Sequence, residues 1–139
     1  MERGVGHKPV MIGELARETS TKVTTIRFYE SIGLLRSAPR TASGRRTYDA
    51  SDLERLHFIR NGRRLGFSVE EIRSLIGLAE DPDQDCGGAS AIATQHLKDV
   101  DAKLAQLAML RDELAALSQS CTRARMADCR IMKAIGRQP

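Results

Sequence analysis

Residues 89–120, ASAIATQHLKDVDAKLAQLAMLRDELAALSQS, carry Leu97, Val100, Leu104, Leu107, Leu110, Leu114 and Leu117 at intervals of three or four, with no Pro or Gly among them. That spacing puts all seven side chains on one face of a single long amphipathic helix. A cysteine stands outside each end, Cys86 before the helix and Cys121 after it, with Cys129 a short loop further on. At 1.5 Å per residue, Cys86 and Cys121 of one chain lie roughly 50 Å apart and cannot share a ligand. Two copies packed antiparallel along the leucine stripe would bring Cys86 of one chain beside Cys121 and Cys129 of the other. The stripe then becomes a homodimer interface with a three-thiolate pocket at each end. The seam slips near its middle, where Leu107, Leu110 and Leu114 depart from a strict heptad, so a local change of winding is expected there.

Working outward, the 139 residues allow one ordinary domain or a small head with an extended arm, and the long helix favours the second. Aromatic residues make up 4% and Trp is absent, so the core must be aliphatic. A lone helix of this length has no partner inside so short a chain, which again argues for dimerisation. Charge is uneven: residues 1–66 hold 13 Lys/Arg against 7 Asp/Glu, and residues 67–139 hold 9 against 11. A basic head suits a polyanion, and the arm suits a different task. No apolar run reaches the 18 or so residues of a membrane span and no secretory h-region follows Met1, so a cytoplasmic protein without membrane contact is expected. Three cysteines in a reducing compartment argue for free thiols, metal ligands or redox chemistry rather than a disulfide framework.

Before the long helix, residues 1–9 read as a flexible polar leader. Residues 10–80 read as a compact helical head. Ile12, Leu15 and Ala16 share a face of a first short helix; Val23, Ile26, Ile32 and Leu35 share a face of a second, which Gly33 ends. Two short helices across a tight polar turn read as a helix-turn-helix, its second helix offering Thr24, Thr25, Arg27 and Tyr29 outward. The stretch RSAPRTASGRRTYDAS, residues 36–51, holds Pro39, a Ser43-Gly44 turn and then Arg45, Arg46 and Tyr48, which suits a β-hairpin or wing. Basic side chains there would meet phosphate oxygens. A capping box from Ser51 to Glu54 opens a third helix, with Leu53, Leu56, Phe58 and Ile59 inward; another from Ser68 to Glu71 opens a fourth, with Val69, Ile72, Leu75 and Ile76 inward. Residues 81–88, with Pro82 and two Gly, form the linker to the helix at 89–120, and residues 121–139 form a loop and a short terminal helix. His7, His57 and His96 lie in a tail or on helix surfaces, away from other ligand types at metal spacing. No base, nucleophile or cofactor cradle is visible at usable spacing, so the chain is not expected to be an enzyme.

From Met11 to about Ile135 the chain resembles the MerR family of transcriptional regulators. The residues that carry the resemblance are IGELA, TIRFYESIGLL, RTASGRRTYDASDLERLHFIRNGRRLGFSVEEI, and the long helix closed by Cys121 and Cys129. The resemblance implies a mainly α protein: a winged helix-turn-helix head, a homodimer through an antiparallel coiled coil, and a C-terminal metal-binding loop. It implies binding to a two-fold operator between promoter elements set too far apart, with induction bending and untwisting the spacer so that RNA polymerase can start, a use of DNA deformability. Family DNA-contact positions match at Thr24, Arg27 and Tyr29 in the recognition helix and at Arg40, Arg45, Arg46 and Tyr48 in the wing.

A cysteine before the dimer helix together with a two-cysteine loop after it is similar to the heavy-metal sensors of that family. Three converging thiolates, from Cys86, Cys121 and Cys129, suit Hg(II), Pb(II) or Cd(II), whereas Zn(II) prefers a fourth ligand, for which Asp128 or a water is available. Arg123, Arg125 and Arg130 would partly neutralise such an anionic centre. Monovalent sensors, for Cu(I), Ag(I) or Au(I), are similar in loop length but usually carry Ser where Cys86 stands. A disulfide switch between Cys121 and Cys129 and a metal buffer with an incidental basic head are the remaining alternatives.

Overall fold

The computed structural model describes residues 8–121, 123 and 125–136. Most of the expected polar leader, with His7, and the last three residues of the expected terminal segment lie outside them. The described residues are mainly helical: α1 (Ile12–Thr19), α2 (Val23–Ser31), α3 (Ala50–Arg64), α4 (Val69–Ala79), α5 (Gly87–Gln119) and α6 (Arg130–Gly136), with a 3-10 turn at Met126–Asp128. They fall into two compact units, one ending at Cys86 and one beginning at Gly87.

In the first unit α1 and α2 form the helix-turn-helix. Ser20 ends α1 in the left-handed region, φ 51°, so that the Thr21 amide can donate to the Ala16 carbonyl at 3.0 Å. Thr19, buried at the end of α1, is satisfied by donating its hydroxyl to the Leu15 carbonyl at 2.7 Å. Gly33 follows α2 with φ 75°, the conformation that lets the chain reverse and send Leu34 and Leu35 back into the core. Arg73 of α4 donates to the exposed Ile32 carbonyl at 2.6 Å and so ties the fourth helix to the end of the second. Leu15, Ile26, Leu34, Leu35, Leu56, Ile59 and Ile72 form one largely aliphatic core that also takes in the rings of Tyr29 and Tyr48.

Helix α3 opens two residues before its expected start. Its capping box is Asp49 with Asp52, each side chain accepting from the other's backbone amide, at 3.1 and 2.9 Å. Ser51 instead donates its hydroxyl to Asp49 at 2.8 Å. The box at Ser68 and Glu71 stands as read. Phe58, expected inward, is exposed on α3: it falls between Leu56 and Ile59, whose side chains define the buried face. Gly62 lets α3 and α4 approach closely, since a Cβ there would sit 3.0 Å from Ile72 Cγ1.

The wing is a turn rather than a ladder. Isolated antiparallel bridges pair Arg40 with Arg46 and Val10 with Tyr48, and Gly44, φ 86°, makes the tip. In the second unit α5 runs without interruption for 33 residues, about 50 Å at the standard rise. It begins at Gly87, so both glycines expected in the linker belong to its first turn. Leu97, Val100, Leu104, Leu107, Leu110 and Leu114 are exposed along it, a leucine face uncovered in the single chain. Among the described residues no helix is long and apolar enough to cross a membrane.

Candidate nucleic-acid interface and metal centre

The phase of α2 decides which side chains reach a ligand. At 3.6 residues per turn, Ile26, Tyr29 and Glu30 share one face, and all three are buried. Thr24, Arg27 and Phe28 occupy the opposite side and are exposed. Tyr29 therefore corrects the expectation of an outward side chain: it packs in the core, its ring 5.9 Å from that of Phe28. Phe28 was missed as a surface residue, although it is 51% exposed. Phe28 stands two residues, about half a turn, from Ile26, so an inward Ile26 turns Phe28 outward.

Tyr48 requires a second correction. Read as a side chain on the wing, it is instead 1% exposed, and its hydroxyl donates to Glu30 Oε1. Arg46 donates to Glu30 Oε2 at 2.9 Å. Burial, followed by the hydrogen bond to the Glu30 carboxylate and that group's charge, pushes the Tyr48 phenol well above its ordinary range. The Glu30 carboxylate thus fastens the wing to the recognition helix, a role that its place at a helix end did not signal. Behind the wing, Arg36 clamps the start of α3, donating to Asp52 at 2.7 Å and to Asp49 at 3.1 Å.

Between the start of α1, α2 and the wing lies a cleft of about 620 Å³ lined by Met11, Ile12, Arg27, Arg40, Gly44, Arg45 and Arg46. Four guanidinium groups and no carboxylate line it, which makes it a receptor for anionic oxygens. Arg40 braces the wing tip by donating to the Gly44 carbonyl at 2.8 Å, and Arg46 is held by Glu30. The Arg27 and Arg45 side chains have no such partner among the described residues. The four arginines are thus brought together, with Thr24 on the same outward face of α2, whereas Tyr29 and Tyr48 are withdrawn into the core.

Cys86, the last residue of the first unit, immediately precedes α5, and Cys121 follows its last turn. Cys86 and Cys121 are exposed, Cys129 is half-buried, and none is in a disulfide. The Cys121 amide donates weakly to the Ser118 carbonyl, 3.4 Å, and Arg123 takes a left-handed φ of 55° as the chain leaves the helix. The 3-10 turn then leads to Cys129, whose carbonyl accepts the Lys133 amide of α6 at 3.1 Å. Asp128, a potential oxygen ligand, lies 3.7 Å from Arg125 in an exposed pair. Among the described residues of one chain, no three of His, Cys, Asp and Glu gather around a common point. As donors, unpaired thiols fit a thiophilic ion, and Arg123 and Arg125 put positive charge in the same loop as Cys121 and Cys129.

Comparison with known proteins covers both units. Residues 10–77 match the MerR HTH family regulatory protein profile, and residues 53–117 match the profile described as MerR, DNA binding. An uncharacterised HTH-type transcriptional regulator of Pseudomonas aeruginosa is 42% identical over 122 residues, 88% of this chain and 92% of that protein. The HTH-type transcriptional regulator ZntR of Escherichia coli K12 is 40% identical over 111 residues, 79% of each chain. Among solved structures, the transcription regulator PbrR691 from Ralstonia metallidurans in complex with lead(II) superposes with a TM-score of 0.79 at 36% identity, covering 91% of this chain and 98% of that one. The buried face of α2, the winged head and the single long helix after it are those of a DNA-binding regulator and not of an enzyme, and the chain belongs to the MerR family of helix-turn-helix transcriptional regulators.

Proposed function

We propose that this protein is a metal-responsive regulator that acts as a cytoplasmic homodimer on promoter DNA and activates transcription of a metal-resistance or efflux function. The observation that carries this reading is the pairing of an uncovered leucine face on α5 with unpaired thiols at both ends of that helix. An antiparallel partner covers the face and brings Cys86 of one protomer to Cys121 and Cys129 of the other. The chemistry of that donor set fits Pb(II), Cd(II) and Hg(II), and Zn(II) with a fourth ligand. Lead(II) bound by the Ralstonia relative supports this class of inducer.

On DNA, Arg27 and Thr24 of α2 face base edges while Arg40, Arg45 and Arg46 hold phosphates from the wing. Phe28 adds an apolar surface beside them, suited to a sugar or a thymine methyl. Loaded and unloaded dimers both stay on the operator. The loaded dimer favours a bent, untwisted spacer, which brings the promoter elements into register for RNA polymerase.

In vitro transcription from the cognate promoter tests this reading. Adding Pb(II), Cd(II), Hg(II) or Zn(II) should raise open-complex formation with little change in operator occupancy by footprinting. Metal-independent transcription, or release of the protein from the operator by metal, would contradict it.

A further inference from the structure

Helix α4 is the last helix of the head, and residues 80–86 join it to α5. Its start is fixed by the Ser68–Glu71 capping box, and Ile72 and Ile76 bury one side of it. From its exposed side Arg73 reaches 41 residues back along the chain. Its Nη2 donates to the Ile32 carbonyl at 2.6 Å, and its Nη1 lies 3.7 Å from where a Cβ on Gly33 would stand.

Ile32 is the C-cap residue of the recognition helix α2. The carbonyls just before it are met from within the turn: Phe28 accepts the Ile32 amide, Tyr29 the Leu34 and Leu35 amides, and Glu30 the Gly33 amide. The Ile32 carbonyl is met from another helix, and a guanidinium there also faces the negative end of the helix dipole. Two residues back stands Glu30, whose carboxylate holds Tyr48 and Arg46 of the wing. One short run of bonds therefore joins α4 to the end of α2 and on to the wing, the two elements that carry the cleft arginines. Arg73 itself does not line the cleft. Its bond is exposed, so water can take its place at the carbonyl and the fold loses little. Water does not replace the link between the two helices.

We propose that Arg73 is a positioning residue for the recognition helix: through its bond to the Ile32 carbonyl, a displacement of α4 driven from the arm turns α2 and the wing together. The inference rests on the reading of the protein as a metal-responsive regulator that distorts its operator, and it names the contact that carries the response into the head. A hydrogen bond between two rigid helices is the kind of link that carries such coupling. Arg73 then sets how strongly the occupied operator answers to metal, and leaves unchanged how tightly the operator or the metal is held.

The test uses full-length parent, Arg73→Ala and Arg73→Lys proteins at concentrations that saturate the operator, with and without Pb(II). Spacer distortion is read by energy transfer between dyes flanking the operator, and open complexes are counted on the same promoter. Footprinting, a Pb(II) titration and a thermal melt run alongside. Coupling between two sites is typically about 5–150-fold, so the ratio of open complexes with and without Pb(II) should fall at least about fivefold in Arg73→Ala. The Pb(II)-dependent change in energy transfer should be lost with it, while operator occupancy, Pb(II) affinity and melting temperature match the parent. Arg73→Lys keeps a charged donor and should recover part of the response. An Arg73→Ala protein that responds to Pb(II) as the parent does would overturn the proposal. So would one whose weaker response is matched by lost occupancy or a lower melting temperature, because Arg73 would then only support the fold. Failure of the underlying reading shows in the parent itself, which would bind Pb(II) and leave the spacer unchanged, and the proposal would fall with it.

Discussion

The hydroxyl of Tyr48, at the foot of the wing, donates to the buried carboxylate of Glu30 at the end of the recognition helix, across eighteen residues of sequence. Arg46 takes the other oxygen of the same carboxylate. The two surfaces that carry the arginines of the cleft are thereby held in fixed register, with Arg27 on one side of the joint and Arg40 and Arg45 on the other.

Removing Glu30 strands a buried phenol and frees Arg46. An unsatisfied buried polar group costs about 1–3 kcal/mol, so Glu30→Ala should lower the stability of the head by roughly that amount, read from urea unfolding at pH 7. The pH dependence is signed. The folded Tyr48 phenol lies above its unfolded value of about 10, so its contribution is full below pH 10 or so and is lost as pH rises beyond it. Tyr48→Phe should therefore flatten the alkaline fall in stability that the parent shows.

At the start of α3 the sign reverses. The Ser51 hydroxyl, then the Asp52 amide and more weakly Arg36, hold the Asp49 carboxyl below its ordinary range. Its stabilisation is present above about pH 4, the unfolded value, and is lost as pH falls through the lower folded value. Asp52 opposes it, because burial raises that carboxyl despite the Arg36 bond. Asp49→Asn should make the acid limb of the stability profile shallower, and Asp49→Ala should cost about 1 kcal/mol through loss of the cap.

The arginines of the cleft are not equivalent. Arg27→Ala should weaken specific operator binding and leave metal affinity unchanged. Arg45→Ala should weaken binding to all duplexes and reduce the salt slope by about one unit. Arg46→Ala should do the same and also destabilise the head, because it unpairs Glu30. A thermal melt alongside the salt titration separates the two effects, and an Arg27 variant with altered metal stoichiometry would contradict the division between head and arm.

Leu107, Leu110 and Leu114 lie in the middle of the exposed seam of α5 and line a shallow apolar groove with Arg111 and Ala115. Leu110→Glu should convert the dimer to a monomer by sedimentation velocity and abolish three-thiolate metal binding while leaving the isolated fold of the head intact. A dimer that survives the change would place the interface elsewhere.

Much of the architecture was legible because helices write their period into the sequence. The leucine spacing marked α5 to within two residues, and the Ser68–Glu71 box marked the start of α4. What failed was what periodicity does not encode. Tyr29 and Tyr48 were read by their basic neighbours, yet α2 turns Tyr29 inward with Ile26, and a non-local bond to Glu30 draws Tyr48 into the core. Phe58 was read as apolar and therefore inward, but its angle on α3 points it outward between Leu56 and Ile59. Asp49 outcompeted Ser51 as a cap because its own amide could be reached by Asp52. Cys86 and Cys121 stand at opposite ends of a 33-residue helix, so one chain does not gather them, and the proposed thiol site depends on a partner.

A mixed-dimer titration tests the central claim most directly. Cys86→Ser protein and Cys121→Ser/Cys129→Ser protein are each expected to lose three-thiolate Pb(II) binding. Mixed and allowed to exchange subunits, they should regain it in the heterodimer, at one site per dimer, because one end then combines an intact Cys86 with an intact Cys121 and Cys129 from the other chain. No recovery in verified heterodimers, or full binding by either variant alone, would contradict a metal site shared between protomers.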